Sequence, residues 1–410
     1  MNSVQSSVTS DQLDGKRPLP EGWVWTTVGD VVSFEYGKGL TQDKRDASGK
    51  VPVYGSNGIV GYHSAALIDK PCLVIGRKGA AGAVHKSDVP CWPIDTTYFA
   101  IPPENVNLSF LYYLFLTLDL ASLDRSTAIP GLNRNDAYAV NIPLPPLPEQ
   151  ERIVTRLEEL LSNLEAGVAA LGRVRAGVKR YKASVLKAAC EGKLFGDKGI
   201  ENGELPEGWR WAKIDEIADT IGGVTKGRNL TGKATIMLPY LRVANVQRGR
   251  LDLDVMKEIE ILASEAEKYR LQDGDVVLTE GGDWDKLGRS AIWRNQIPNC
   301  IHQNHIFRAR TKSSYVLPEW LMYYTNSEQG QNYFKEAAKQ TTNLASINLT
   351  QLRACPIPLP PLEEQRRIVA EVERRLEAAR AVESAVKTGL KRAAWLRQAV
   401  LRSAFEGRLS

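Results

Sequence analysis

The sequence predicts an α+β protein: two mixed α and β globular domains joined by two long helices, arranged as a pseudo-two-fold internal repeat. Three observations carry this reading. Short motifs occur twice in the 410 residues; the later motifs recur at one constant offset; and the stretch they bracket has the apolar spacing of a long helix.

Leu19-Pro20-Glu21-Gly22-Trp23, with Trp25 two places on, recurs as Leu205-Pro206-Glu207-Gly208-Trp209 with Trp211, an offset of 186. Ile142-Pro143-Leu144-Pro145-Pro146-Leu147 recurs as Ile357-Pro358-Leu359-Pro360-Pro361-Leu362, an offset of 215. Glu149-Gln150 followed by Arg152-Ile153-Val154 answers to Glu364-Gln365 followed by Arg367-Ile368-Val369, and Glu191-Gly192-Lys193-Leu194 to Glu406-Gly407-Arg408-Leu409, both also at 215. The interior of the second copy is therefore about 29 residues longer. Constant frames enclose variable interiors. These anchors divide the chain into a disordered leader (1–18), a first domain (19–148), a first long helix (149–195), a linker (196–204), a second domain (205–362) and a second long helix (363–410).

The helices follow from periodicity. Pro148 suits a first helical position, and Glu149 and Glu151 favour the positive end of the helix dipole. Apolar residues recur at Ile153, Leu157, Leu160, Leu164, Val168, Leu171, Val174, Val178, Tyr181 and Val185. The second copy gives Ile368, Val372, Leu376, Ala379, Val382, Val386, Leu390, Ala393, Leu396 and Val400. Such heptad-like stripes want a partner helix, and the two most simply bury against each other. Gly192 and Gly407 stand where helix C-caps belong. Forty-odd residues make a rod of about 60 Å.

The interiors, 24–141 and 210–356, read as short strands and turns, as in Val51-Pro52-Val53-Tyr54-Gly55 and Asp275-Val276-Val277-Leu278-Thr279. Helical interludes are expected around Ser109–Ala121 and Pro318–Ala338.

Composition excludes several classes. No run of apolar residues is long enough for a membrane span, and the Ser-rich leader lacks a secretory core. Five scattered cysteines, Cys72, Cys91, Cys190, Cys300 and Cys355, form no CxxC pair, so a reducing, cytoplasmic setting is expected. The net charge of +5 is spread thinly: −2 over 19–148, +1 over 149–204, +2 over 205–362 and +4 over 363–410. A basic footprint for nucleic acid must then come from clustering in space.

Catalytic signatures are lacking. No Asn-Pro-Pro-Tyr or Asp-Pro-Pro-Tyr motif of amino-methyltransferases occurs. Gly222-Gly223-Val224-Thr225-Lys226-Gly227-Arg228 has the glycines of a Walker A loop but not its Lys-Ser/Thr ending, and reads as a turn. Glu191-Gly192-Lys193 mimics a nuclease fragment, but its counterpart Glu406-Gly407-Arg408 favours capping. His302-Gln303-Asn304-His305 beside Cys300 falls short of a four-ligand zinc site, so packing or hydrogen bonding is expected. The loop Gly76-Arg77-Lys78-Gly79-Ala80-Ala81-Gly82 could admit a phosphate chain closely, or could equally be an ordinary hairpin.

The doubled frames, Leu-Pro-Glu-Gly-Trp opening each interior and Ile-Pro-Leu-Pro-Pro-Leu leading into each helix, resemble the specificity subunit of type I restriction–modification systems, over nearly the whole chain from Leu19. The resemblance implies that each interior is a target-recognition domain reading one half of a bipartite, asymmetric site in double-stranded DNA. It implies that the helices form an antiparallel coiled coil that sets the spacing. It also implies two modification subunits docked on the frame, with two restriction subunits as optional further partners. No cofactor is expected in this chain: S-adenosylmethionine belongs to the modification partner, ATP and Mg to the restriction partner. The chain itself is expected to be a non-catalytic subunit.

Candidate DNA-binding residues are polar side chains in glycine-rich, loop-like contexts: Tyr54, Asn57, Arg77, Lys78, Arg125 and Arg134 in the first domain, and Arg242, Asn245, Arg248, Asp283, Trp284, Lys286, Arg289, Gln303, Asn304 and Asn343 in the second. Arg and Lys suit guanine, Asn and Gln adenine. The rival reading is a coiled-coil adaptor with two protein- or glycan-binding domains, which accounts for the repeat but not for the match of its frames to this family.

Overall fold

The computed structural model describes residues 18–123, 131–196, 199–200, 204–312, 314–340 and 345–409. Two helices of 44 residues, Leu147–Cys190 and Leu362–Phe405, occupy the gapless part of the repeat. Both begin inside the Pro-rich motif, so Pro148 is the second helical residue. Both are followed by a left-handed glycine, Gly192 at φ +73° and Gly407 at φ +70°, a conformation that costs other residues about 1–2 kcal/mol.

The chain divides into two compact units that cut across its linear order. One comprises residues up to Gly172 together with those from Lys387 on; the other is Arg173–Val386. Each therefore holds one interior, the start of the helix that follows it and the end of the other helix. In the first unit Leu171 lies against Gly389, Glu165 pairs with Arg397 at 3.6 Å, and Arg152 donates to the Leu409 carbonyl at 3.5 Å. In the second, Lys182 pairs with Glu383 at 2.5 Å, and Arg375 donates to the Leu194 carbonyl. Within each unit the paired segments run antiparallel.

The buried line on each helix is narrower than the predicted stripe. Along the middle of the second helix it is seven-residue, with Gln365, Val372, Ala379, Val386 and Ala393 all buried, while Ile368 and Val369 at its start and Leu401, Ala404 and Phe405 at its end are buried as well. On the first it runs through Gln150, Leu157 and Val185, with Leu164, Leu171 and Val178 half-buried. Val168, Val174, Tyr181 and Val382, expected in the seam, are about two-fifths exposed. A strict period of seven keeps one line of side chains facing a partner, whereas residues off that line turn outward.

Each interior repeats one topology. A two-stranded frame joins its ends: Val24–Thr27 with Asn141–Leu144 in the first unit, Arg210–Lys213 with Pro356–Leu359 in the second. A four-stranded antiparallel sheet follows in each. The first has the order Glu35–Tyr36, Thr97–Ala100, Cys72–Gly76, Val84–Ser87; the second Ala218–Gly222, Ile306–Thr311, Val276–Thr279, Ser290–Ile292. A three-stranded sheet with one parallel edge completes each: Gly58–His63, Val51–Gly55 and Trp92–Pro93 in the first, Lys257–Leu262, Thr235–Leu241 and Ile301–His302 in the second.

Strand register now aligns interiors whose sequences do not. Tyr36 pairs with Tyr98 as Gly222 pairs with Phe307, and Ile75 pairs with Tyr98 as Leu278 pairs with Phe307. The offset thus rises from 186 at Tyr36/Gly222, through 187 at Tyr54/Leu241 and 203 at Ile75/Leu278, to 209 at Tyr98/Phe307. The largest single share, nine residues, enters where the first unit has the two-residue turn Ser56–Asn57. There the second unit carries the excursion 242–256, with its own hairpin of Val246–Gln247 and Arg250–Leu251.

The frame glutamines explain why the helix starts recur. Gln150 accepts from the Asn107 amide at 2.8 Å and donates to the carbonyls of Pro145 and Asn105 at 2.9 and 3.2 Å. Gln365 accepts from the Leu317 amide at 2.9 Å and donates to the carbonyls of Pro360 and Tyr315, both at 2.9 Å. One buried amide thus ties each long helix to the loop before a core helix, Leu108–Phe115 or Pro318–Asn326. The opening motif closes the other end. A Cβ on Gly407 would meet the Pro20 ring at 2.2 Å, and one on Gly192 the Pro206 ring at 2.8 Å.

Candidate nucleic-acid interface

In the first unit a short strand puts an aromatic ring in solvent. Tyr36 is 54 % exposed, and Gly37 beside it has no room for a side chain: a Cβ would stand 2.1 Å from the Ile94 carbonyl oxygen. Arg77 leaves the end of the strand Cys72–Gly76, next but one in the sheet, with its guanidinium 5.3 Å from the centre of the Tyr36 ring, and Arg134 lies 5.5 Å from the same ring. Each cation also lies within reach of a second ring, Arg77 of Tyr98 at 6.0 Å and Arg134 of Tyr138 at 5.9 Å. The cation–π contacts hold both guanidinium groups in place. Backbone oxygens hold them too: Arg77 donates through Nε and Nη2 to the Asp95 carbonyl at 3.2 and 2.6 Å, and Arg134 through Nη1 to the Phe34 carbonyl at 3.4 Å. Neither pairs with a carboxylate among the described residues, so both charges are oriented but not neutralised.

Lys78 is exposed next to Arg77, and the turn carrying exposed Asn57 adjoins the same loop, with Ser56 facing Gly76 and Gly79. The structure thus brings Asn57, Arg77, Lys78 and Arg134 together. Arg125 lies outside the described residues. Tyr54 is corrected: it is buried with Cys72, Val74 and Cys91, and burial raises its pKa, so it is a packing residue. The glycines of the loop also have an internal cause. A Cβ on Gly76 would meet the Ala80 oxygen at 2.0 Å and one on Gly82 the Ala121 nitrogen at 2.5 Å, so they close a hairpin and seat it.

The candidates of the second unit do not form one cluster. Asn245 is buried, capping the turn Val243–Asn245 through the Arg242 amide and donating to the Asp252 carbonyl at 2.8 Å. Arg289 is 9 % exposed and donates to Gln247 at 2.7 Å. Both are corrected to structural roles: their polar groups hold the inserted hairpin to the sheet. Arg242 donates to the Val255 carbonyl at 2.7 Å and Arg248 to Gln331 at 2.5 Å, on the same insertion. Asp283, Trp284 and Lys286 form an exposed turn in which Lys286 pairs with Asp283 and its hydrogen bond lowers the Asp283 pKa. Trp284 is 43 % exposed. Gln303 and Asn304 are half-buried beside Val224, whose carbonyl accepts from the Asn304 amide at 2.9 Å. Asn343 lies outside the described residues.

Three groups escaped sequence reasoning. Tyr36 carried no motif, although the 186 offset sets it against a glycine. Glu280 accepts from or shares a proton with His305 at 2.5 Å, at the place corresponding to Arg77. Cys72 and Cys91 bring their sulfurs within 3.6 Å, and their shared hydrogen bond raises the first pKa and lowers the second. His302 instead turns into the core, where burial pushes its pKa down to about 4 and Nδ1 meets the Ile306 carbonyl at 2.8 Å. Among the described residues no three His, Cys, Asp or Glu side chains gather as metal ligands, and no helix is long and apolar enough to cross a membrane.

Known proteins give the arrangement its context. The family model described as the type I restriction modification DNA specificity domain matches twice, over residues 20–170 and 206–387. The StySPI type I restriction enzyme specificity subunit of Salmonella potsdam is 25 % identical, covering 96 % of this chain and 90 % of its own. The EcoKI counterpart of Escherichia coli strain K12 is 26 % identical with the same coverage. Among solved structures, a chain described under complex assembly and conformational transition of the type I R-M system superposes with a TM-score of 0.69 at 24 % identity, over 96 % of this chain and all of that one. The HsdS subunit from Thermoanaerobacter tengcongensis does so with a TM-score of 0.55 at 22 % identity, over 96 % and 99 %. Those two likenesses establish the fold. With the family model matched in both halves, the chain belongs to the type I restriction–modification DNA specificity family.

Proposed function

We propose that this chain is the sequence-reading subunit of a type I restriction–modification complex, each unit reading one half of a bipartite site in double-stranded DNA. The observation that carries the reading is one strand register presented twice with unlike side chains at equivalent places: Arg77 against Glu280, Tyr36 against Gly222. Two readers on one scaffold suit two unlike half-sites. Phosphate contacts from Lys78 and other exposed cations would position the duplex, and base contacts would specify it. The long helices dock modification subunits, one for each half of the repeat, and these supply S-adenosylmethionine and the methyl transfer. The chain contributes no catalysis, and ATP and Mg act only in a restriction partner. Its place of work is the cytoplasm.

The test is methylome mapping of cells carrying this chain with its modification subunit. A two-part motif should appear, and replacing residues 24–141 by another interior of the family should change one half only. Alteration of both halves, or methylation by the isolated chain, would overturn the reading.

A further inference from the structure

The geometry points to Tyr36, Arg77 and Arg134 as the specificity-determining contact of the first unit, a bracketed ring whose two cations read guanine. The inference rests on the DNA-reading function above and adds which residues choose the base and which base they choose.

The argument starts from what the two arginines are free to do. Arg77 spends Nε and one Nη2 hydrogen on the Asp95 carbonyl. That fixes its plane and leaves the Nη1 side of the fork with unused donors. Arg134 makes one long hydrogen bond, to the Phe34 carbonyl at 3.4 Å. Such a fork matches the paired acceptors O6 and N7 of guanine in the major groove better than any other base edge. Many surface arginines among the described residues are neutralised, as Arg152 is by Glu149, Arg228 by Glu265 and Arg374 by Glu371. Two unneutralised guanidinium groups around one exposed ring therefore form an anion- and acceptor-seeking patch. Tyr36 gathers them at one point of the surface, since both guanidinium groups lie within cation–π distance of its ring, at 5.3 and 5.5 Å from its centre.

The second unit shows that the scaffold does not require this set. The three places hold Gly222, Glu280 and Leu349, with Leu349 lying 3.8 Å from where a Gly222 Cβ would be. A carboxylate accepts and does not donate, so Glu280 cannot read the acceptors that Arg77 reads. The same fold positions thus separate guanine reading from its absence.

The experiment uses the full chain with its modification subunit and compares methylomes of the wild type, Arg77→Lys, Arg134→Lys and Tyr36→Leu. Lysine keeps the charge but not the two-pronged fork. A G·C pair in the first half-site should lose discrimination by about tenfold or more in the lysine variants, with the second half-site unchanged. Tyr36→Leu should relax the same base pair by freeing both arginines. Circular dichroism and complex formation check that each variant folds and assembles. A first half-site without G·C, or one equally well discriminated in both lysine variants, overturns the inference while leaving the functional reading intact. Weakening of both half-sites alike would also overturn it, assigning the arginines to phosphate. A wild-type complex that leaves no two-part motif removes the functional reading itself and the inference with it.

Discussion

Below the strand end where the first unit presents Arg77 and the second Glu280, the two sheets are also built from different chemistry. The place of Cys72 in the first unit is that of Asp275 in the second, one residue before the paired Leu73 and Val276. Cys72 packs with Val74, Cys91 and Tyr54 in an apolar cluster. Asp275 is fully buried and takes a two-pronged ion pair from Arg310, both contacts 2.8 Å, while burial lowers the pKa of neighbouring Arg308. One backbone tolerates a thiol pair or a buried ion pair at the same point. The difference teaches that the frame, not the interior chemistry, is what makes the units alike. The short helix near each frame strand makes the same point: Tyr138 accepts from the Phe34 amide at 2.6 Å, and at the corresponding place Arg353 donates to Thr220.

If the frame is what the units share, damage to it should cost both units equally. Gln150→Ala and Gln365→Ala each leave one amide and two carbonyls unpartnered. Asn105 and Tyr315 are exposed and can turn to water, so at about 1–3 kcal/mol for each buried group left unsatisfied each change should destabilise its own unit by about 3 kcal/mol. Hydrogen exchange resolves the units, read at Thr97–Ala100 and at Ile306–Thr311. A large loss in one unit and almost none in the other would break the equivalence.

Damage to the interiors should be unequal. Asp275→Asn leaves Arg310 without its carboxylate. Because that side chain is 32 % exposed and can turn to water, the cost falls at the lower end for a broken buried pair, about 3 kcal/mol. Cys72→Ala, which trims an apolar cluster, should cost about 1 kcal/mol. Urea unfolding of the two variants measures the contrast, and equal losses would refute it.

Acid should separate the units further. His302 is buried neutral, with its folded pKa about 4 against the ordinary 6.5. The unfolded chain binds the proton first, so this contribution is complete above pH 6.5 and is lost as pH falls towards 4. The loss amounts to about 3 kcal/mol at most. The corresponding place in the first unit is Pro93, which does not titrate. Hydrogen exchange between pH 7 and 4.5 should show the Ile306–Thr311 strand weakening, and His302→Gln should flatten that part of its slope.

The smallest effect distinguishes the two helix ends. Gly192→Ala should cost about 1–2 kcal/mol for its left-handed backbone. Gly407→Ala should cost more, because its new Cβ comes closer to a proline ring, 2.2 Å against 2.8 Å. Thermal unfolding of both variants ranks them.

The repeat, the helices and the frame motifs were determined by the sequence alone, because each is local. A seven-residue apolar line and a Gly after it act within a few turns of one helix, and identical motifs at one offset need no contact to be seen. What only the tertiary structure decided is everything set by residues far apart in the chain. Tyr36, Arg77 and Arg134 meet because three separate segments converge, and their counterparts Gly222, Glu280 and Leu349 align only through strand register. Tyr54, Asn245 and Arg289 looked available because polar residues in glycine-rich stretches usually are. Their burial depends on neighbours 32 or more residues away, such as Lys86, Gln247 and Cys91, or on the closed insertion itself. Burial is a property of the packed surroundings and not of the residue, so it is settled only when the chain closes on itself.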